Sequence, residues 1–471
     1  GRLAASHTGS LAGSDRVYDA LFKKFGVIRV DDLEELIHAS QLFATLKRIP
    51  RSAGFACVSL SGGETGICAD VGAMNGIDFP DFSQSTKDAL AAMLPSYATP
   101  ANPLDATATL SYDEAAFADC LRVLMRDDSC SAVLVGYTLL QDVADPAIRY
   151  MAKAMETVSR EEGSKPMVMI PFAGNTRNAE YSALLERCGV PILPPAVYAF
   201  RILRYLSDFI KYDHSGKNLS PAIPARAKSG ARHAMSARGA MRAMAPFGVP
   251  FPPCGLASTL EDAKKIADEI GWPVALKIES KDILHKSDAG CVALNIGGEG
   301  ALAEAYGKIM DNAARNFTGA EISGVLVQKM VHPGTEMIIG VTSDPQFGPA
   351  ILAGLGGVHV EALGDTAVAL APLSRGEARE LVLSLKCSKI LLGFRGDSPK
   401  DIEALTDVVM AVSDMASLMK DTLIELDLNP VFVYDKGACA VDVVIITDSG
   451  PEGGNGHPAD MGGNHCLEPI F

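Results

Sequence analysis

Between residues 54 and 212, short apolar runs alternate with longer amphipathic stretches. "FACVSL" leads into a glycine loop and a helix, "SAVLVGY" into a helix over 144–162, "KPMVMIPF" into a helix over 178–188, and "VPILPP" closes the series. A repeated strand–helix alternation of this kind predicts a parallel, doubly wound sheet, because parallel neighbours need a crossover and the crossover helices cover both faces. This α/β region is assigned residues 51–212.

Residues on either side read differently. The spacing predicts a helix over 14–25, a short strand at Val27–Val30 ("VIRV") and a helix from Asp31, its N-cap, to Leu46. Two helices and one strand cannot cover both faces of a sheet, so residues 1–50 read as the C-terminal remnant of an α/β domain completed upstream or by another chain. Residues 213–228, rich in Ser, Pro, Gly and Lys, read as a linker. From 229 to 447, β runs such as "VALKIES", "VLVQKM" and "EMIIGVT" mix with helices over 260–270, 301–317 and 401–420, which predicts an α+β domain. The Gly-, Pro- and Asn-rich residues 448–471 read as a flexible tail, although His457, His465 and Cys466 include metal-ligating types.

Charge and cysteine usage exclude several classes of function. With 42 Lys+Arg against 57 Asp+Glu, the net charge is −15 and no basic patch interrupts it, which argues against a nucleic-acid partner. Ten cysteines form no CxxC pair, so neither a zinc ribbon nor a disulfide framework is expected, and a reducing cytoplasm fits. No apolar run approaches the ~20 residues that span a bilayer, so no membrane association is expected.

Several short stretches carry chemistry. In "SLSGGETG" the residues Gly62, Gly63, Glu64, Thr65 and Gly66 follow a strand and precede a helix expected to begin near Ile67. Free backbone amides at a helix N-terminus attract anions, so this turn is a candidate phosphate cradle; the plainer reading is a tight turn that needs glycine. His7, in "SHTGSLAG", sits among small residues that would let an imidazole carry a phosphoryl group, although a lone histidine near a terminus is more often a solvated loop residue. Lys277 lies on an apolar strand where an ammonium needs an anionic partner. Glu425, Asp427 and Asn429 in "IELDLNP" alternate along one strand, and Asp442 follows on the next. Oxygen donors so arranged suit a magnesium ion shared with phosphates, against the alternative of solvated acids on edge strands.

In combination, "AASHTGSLAGSDRVYDALFKKFGVIRVDDLEEL", "SLSGGETGICAD", "NPLD", "VALKIESKDILHKSDAG", "GVTSDPQFGPAILAGLGGVHVE" and "ELDLNP" resemble, in the same order, the NDP-forming acyl-CoA synthetases, relatives of succinyl-CoA synthetase. The resemblance implies a succinyl-CoA synthetase-like flavodoxin fold followed by an ATP-grasp domain. It also implies that the CoA-binding Rossmann domain and most of the first flavodoxin-like domain lie outside this chain, upstream or in a separate subunit of a homo- or hetero-oligomer. His7 becomes the phosphohistidine, and the 62–66 turn the helix N-terminus that receives its phosphoryl group. Lys277 contacts nucleotide phosphates, and Gln328, Lys329, Met330 and Val331 form an adenine hinge. Glu336, Gly356 and Gly357 complete the ATP site. Asn429 and Asp442 bind Mg2+, Asp427 faces the phosphohistidine at the nucleotide site, and His285 is a second phosphoryl acceptor or relay. Cys291, where relatives usually have glycine, departs from the pattern.

The activity implied is formation of an acyl-CoA from a carboxylic acid, CoA and ATP, with release of ADP and phosphate. Two alternatives stand beside it: a catalytically silent synthetase-like module of a lysine acetyltransferase, and a generic ATP-grasp carboxylate-amine ligase, which would account only for residues 229–447.

Overall fold

The computed structural model describes residues 14–141, 145–174, 178–215, 230–283, 286, 289–357 and 364–448. The chain folds as two units, one comprising residues 26–216 and the other combining residues up to 25 with those from 217 onward. The first helices fall on opposite sides of that division: α1 (Asp15–Lys24) belongs to the second unit and α2 (Leu33–Thr45) to the first.

In the unit of residues 26–216, α2 begins at Asp32, one residue later than the sequence suggests, because the Asp32 carboxylate accepts from the Glu35 N–H at 2.8 Å. Val27–Val30 does not form the expected strand; it runs without ladder pairing. Three of its four residues are β-branched and favour a strand, but propensity without a neighbouring strand makes no sheet. The buried face of α2, Ala39 and Leu42, joins Phe200 and Leu203 of α8 (Ala196–Lys211) in one apolar cluster. At the start of α2 the buried Glu35 carboxylate accepts from Arg201 at 3.3 Å, from the Asp31 N–H at 3.2 Å and from the Tyr205 hydroxyl. Burial pushes this acid up, yet these three donors outweigh it and hold Glu35 below the usual carboxylate range.

The sheet of this unit is fully parallel, in the order β2 (Leu104–Asp105), β1 (Phe55–Ser59), β3 (Ala132–Gly136), β4 (Met167–Ile170). Strands β1, β3 and β4 are buried throughout, as expected of strands with helices on both faces. "VPILPP" contributes only a parallel bridge between Ile192 and Met169, since the flanking prolines lack the N–H groups a ladder needs. Its position beside β4 extends the series to the flavodoxin order 2-1-3-4-5, whose ligand crevice lies at the carboxyl ends of β1 and β3.

The other unit has two antiparallel sheets. One runs β6 (Cys254–Ala257), β9 (Ile322–Lys329), β7 (Val274–Ser280), β8 (Val292–Ile296), with α10 (Leu260–Ile270) and α11 (Glu299–Asn316) on its outer side. The α10 helix has the bounds its periodicity predicts, and Thr259 with Asp262 forms a reciprocal capping box. The second sheet is seven-stranded and is built around β10 (Thr335–Asp344), β11 (Gly348–Leu355) and β13 (Leu423–Val433), with β12 (Thr366–Leu370) at one edge. The helices α12 (Arg375–Leu383) and α14 (Ile402–Leu418) pack on it.

Helix α1 docks on this second sheet. Val17 and Ala20 pack against Ala350 and Leu370, and Tyr18 meets Phe347 edge-to-face with ring centroids 5.0 Å apart. Lys24 is buried, and its ammonium donates to the Pro372 carbonyl and the Glu377 carboxylate, each at 2.8 Å.

Candidate functional site

Two constellations stand out, one in each unit. In the two-sheet unit, Lys277 projects from β7, 4% exposed, and donates to the Val441 carbonyl at 3.2 Å while its Nζ lies 3.4 Å from Asp442 Oδ2. Gln328 lies opposite Ala275 in the β7–β9 register, which puts it on the Lys277 face, and its amide reaches the same Val441 carbonyl at 3.2 Å. One carbonyl beside Asp442 thus ties the small sheet to the strand pair that carries the acids.

That pair is β13 and β15 (Val443–Asp448). Along β13 Leu426 and Leu428 are buried, while Glu425 and Asn429 are exposed and Asp427 is partly so, the period-2 alternation the sequence implies. The Asn429 N–H donates to the Asp442 carbonyl at 3.3 Å. Gly340 lies opposite Asp427 and leaves room for its carboxyl. Burial, then repulsion from Glu425 and Asp442, pushes Asp427 up to about 6, against the lowering effect of a hydrogen bond from Asn429. No group of three or more His, Cys, Asp or Glu side chains forms a closed metal cage among the described residues. The donors still fit Mg2+, which takes one or two carboxylates and completes its shell with phosphates and water. The crowded acids are what such a cation would relieve.

The raised Asp427 value has a sign. The folded protein binds more protons than the unfolded chain between about pH 4 and 6, so this residue makes stability fall as pH rises through that window. A cation held by the neighbouring Asn429 and Asp442 would be attracted by the ionised form of Asp427 and less so by the protonated form at low pH. Raising the pH from 5 to 7 is therefore expected to tighten Mg2+-nucleotide binding about tenfold, and Asp427→Asn to flatten that dependence, as titration calorimetry across the range would measure.

The residues expected to form the hinge are engaged within the protein: the Lys329 ammonium donates to the Trp272 carbonyl at 2.7 Å, and the Met330 N–H to the Pro273 carbonyl at 3.0 Å. Val331 lies two residues beyond the end of β9 and is half-buried. At Gly356 and Gly357 small size has a specific cause. A Cβ on Gly356 would lie 2.7 Å from Glu336 Cγ, and one on Gly357, whose φ is +75°, 2.8 Å from Glu336 Oε2. The glycines and Glu336 therefore form one packed turn, fastened by the Gly356 N–H donating to the Glu336 carbonyl at 2.7 Å.

In the parallel-sheet unit, α3 (Gly62–Met74) starts where β1 ends. Its N-cap Ser61 is extended and makes no side-chain cap. Thr65 Oγ1 donates back to the Gly62 carbonyl at 3.0 Å, and Gly66 has open space where a side chain would stand. Glu64 turns to the strand end and accepts from the Ser59 hydroxyl, while Asp105 Oδ2 lies 3.1 Å from where a Gly62 Cβ would be. Burial first, and then Asp105, push Glu64 up despite the Ser59 hydrogen bond. This N-terminus thus carries two acids beside its backbone amides, and protonation of Glu64 would lessen their repulsion of an anion. Next to it, at the end of β3, the Tyr137 hydroxyl donates to Asp145; burial and this carboxylate raise the phenol. Sequence reasoning assigned no role to Ser59, Asp105, Tyr137 or Asp145. The usable signal was their place at the carboxyl ends of β1, β2 and β3, which emerges only once strand order is known. His7 and His285 lie outside the described residues.

Comparisons with known proteins bear on both units. The ATP-grasp domain family matches residues 226–447, and the family of succinyl-CoA ligase-like flavodoxin domains matches residues 1–43. An ATP-grasp fold joined to succinyl-CoA ligase-like elements defines a class of acid-thiol ligases. The ADP-forming acetate-CoA ligase II subunit beta of Pyrococcus furiosus is 47% identical over 212 residues, 45% of this chain and 90% of that protein. Acetate-CoA ligase (ADP-forming) I of Archaeoglobus fulgidus is 36% identical over 454 residues, 94% of this chain and 63% of that protein. A 4-hydroxybutyrate-CoA ligase (ADP-forming) of Nitrosopumilus maritimus is 32% identical, covering 93% of this chain and 62% of its own length. The chain belongs to the ADP-forming acetate-CoA ligase family, and it spans somewhat under two thirds of the length of the Archaeoglobus and Nitrosopumilus relatives.

Proposed function

We propose that this chain is the nucleotide-binding and ligase-bearing part of an ADP-forming acid-CoA ligase, converting a carboxylic acid, CoA and ATP to acyl-CoA, ADP and phosphate. The observation that carries the reading is the buried Lys277 held beside Asp442, against the acid row of β13, in the unit matched by the ATP-grasp family.

In this scheme Lys277 binds the nucleotide phosphates as a point charge and gives up part of its contact with Asp442 to do so. Asn429 and Asp442 would hold Mg2+, whose charge offsets that of the β- and γ-phosphates. The imidazole of His7 attacks the γ-phosphorus; the N–P bond forms as the bond to the β–γ bridging oxygen breaks, and ADP leaves. The phosphoryl group then passes to the substrate carboxylate at the other site, near the 62–66 turn, giving an acyl phosphate. The CoA thiolate attacks its carbonyl carbon and phosphate departs. A carrier is required because each transfer needs reacting atoms about 3–3.5 Å apart, a condition that two separate sites cannot meet together. The small residues Ser6, Gly9, Ser10, Ala12 and Gly13 around His7 suit a swinging segment. The remaining partners are the upstream CoA-binding domains, on the same polypeptide or on a separate subunit.

Incubation with γ-labelled ATP and Mg2+ is expected to yield an acid-labile label that peptide mapping places on His7. Absence of label with intact nucleotide binding would favour the silent regulatory module. ADP release that depends on an added amine would favour a carboxylate-amine ligase.

A further inference from the structure

We propose that Lys286 is a second phosphate-binding cation of the nucleotide site and that Glu279 is the positioning residue that holds it there. The proposal rests on the reading of this unit as an ATP site.

Lys277 and Glu279 are two residues apart on β7 and so project from the same face, roughly 6–7 Å apart along the strand. Glu279 is 1% exposed. Its Oε1 accepts from the Arg238 N–H at 3.0 Å, in the first turn of α9 (Ala237–Met244). Its Oε2 has no hydrogen-bond partner among the described residues, and the Lys286 ammonium lies 3.7 Å from it. Lys286 is itself held in place: its carbonyl accepts from the Cys291 N–H at 2.9 Å, and the Cys291 carbonyl accepts from the Ile278 N–H at 3.0 Å. The connection between β7 and β8 thus folds back at Lys286 onto the strand that carries Lys277.

A carboxylate buried this deeply costs free energy unless it is paired and hydrogen-bonded, and a tight ammonium–carboxylate pair closes to about 2.7–2.9 Å. Neither pair on this face does. Lys277–Asp442 stands at 3.4 Å and Lys286–Glu279 at 3.7 Å. Each ammonium is kept near its carboxylate without being fully engaged by it. Two such cations on one strand face match a ligand with several adjacent anionic groups, namely the phosphate chain of a nucleoside di- or triphosphate. The half of that ligand that carries the base has no need of them.

The assignment is tested by titrating the chain, in Mg2+, with ATP, ADP, AMP and adenosine. Lys286→Met is expected to weaken ATP binding about tenfold and leave adenosine binding unchanged. Glu279→Gln is expected to weaken ATP binding in the same selective way, the double variant to be little worse than Lys286→Met alone, and Lys286→Arg to restore most of the affinity. A folded Lys286→Met protein that binds ATP within twofold of the unaltered chain, or that loses adenosine equally, would overturn the assignment alone. An unaltered chain that binds no nucleotide would overturn the ATP reading together with it.

Discussion

Lys277→Met is expected to weaken ATP binding at least 100-fold and to abolish labelling from γ-labelled ATP on the timescale of a turnover. Two losses combine. The nucleotide phosphates lose a desolvated cation on a strand where water cannot substitute for it, and charge-assisted contacts of this kind are the strong ones. Asp442, 3.4 Å from the missing ammonium, is left among Glu425 and Asp427 with one fewer counter-charge. A 100-fold loss corresponds to about 2.7 kcal/mol, at the lower end of the ~2–5 kcal/mol that truncating one partner of a buried charge pair costs at a binding site. Methionine keeps the length and the apolar stem, so the change tests charge rather than packing. Equilibrium binding and melting temperature should be measured together. Unchanged affinity in a folded variant would show that Lys277 serves only to join the small sheet to Val441.

Lys24→Ala is expected to release α1 locally, at a cost of about 3–5 kcal/mol to its docking. The lysine and Glu377 form a pair whose side chains are 3% and 24% exposed, and Pro372 supplies a second acceptor. Glu377 cannot turn to water freely, because its other oxygen accepts from the Ser374 N–H at 2.8 Å in the capping box of α12. Removal of the ammonium therefore leaves a largely buried carboxylate and a carbonyl with one donor fewer, while Val17, Ala20 and Tyr18 still favour the docked helix. Hydrogen exchange of the α1 amides should accelerate by two or more orders of magnitude, with β13 protected as before. Unchanged exchange in α1 would mean that the apolar contacts hold it unaided.

How much of this was legible in the sequence depends on whether the deciding partner is local. The acid row of β13 could be read from residue spacing because strand periodicity is set by the chain's own geometry, and the bounds of α10 could be read because Thr259 and Asp262 cap it from within the same turn. Val27–Val30 was misread because a strand needs a neighbour that no local pattern supplies. The turn at 62–66 was found as a run of glycines, but the acids that surround it were not, since Asp105 reaches Gly62 only through the pairing of β2 with β1. The place of α1 was equally hidden: Lys24 and Glu377 are more than 350 residues apart, and nothing in "ALFKKFG" distinguishes the buried lysine from exposed Lys23.

Because α1 is continuous in sequence with one unit and packed into the other, it acts as a built-in plug and socket. A gene broken at the division between the units, between residues 216 and 217, would yield two polypeptides that already share an apolar seam, with Tyr18 against Phe347 and a buried ion pair at its end. Fission of this chain into paired polypeptides would then require no new recognition surface, because the seam between α1 and the second sheet is already built.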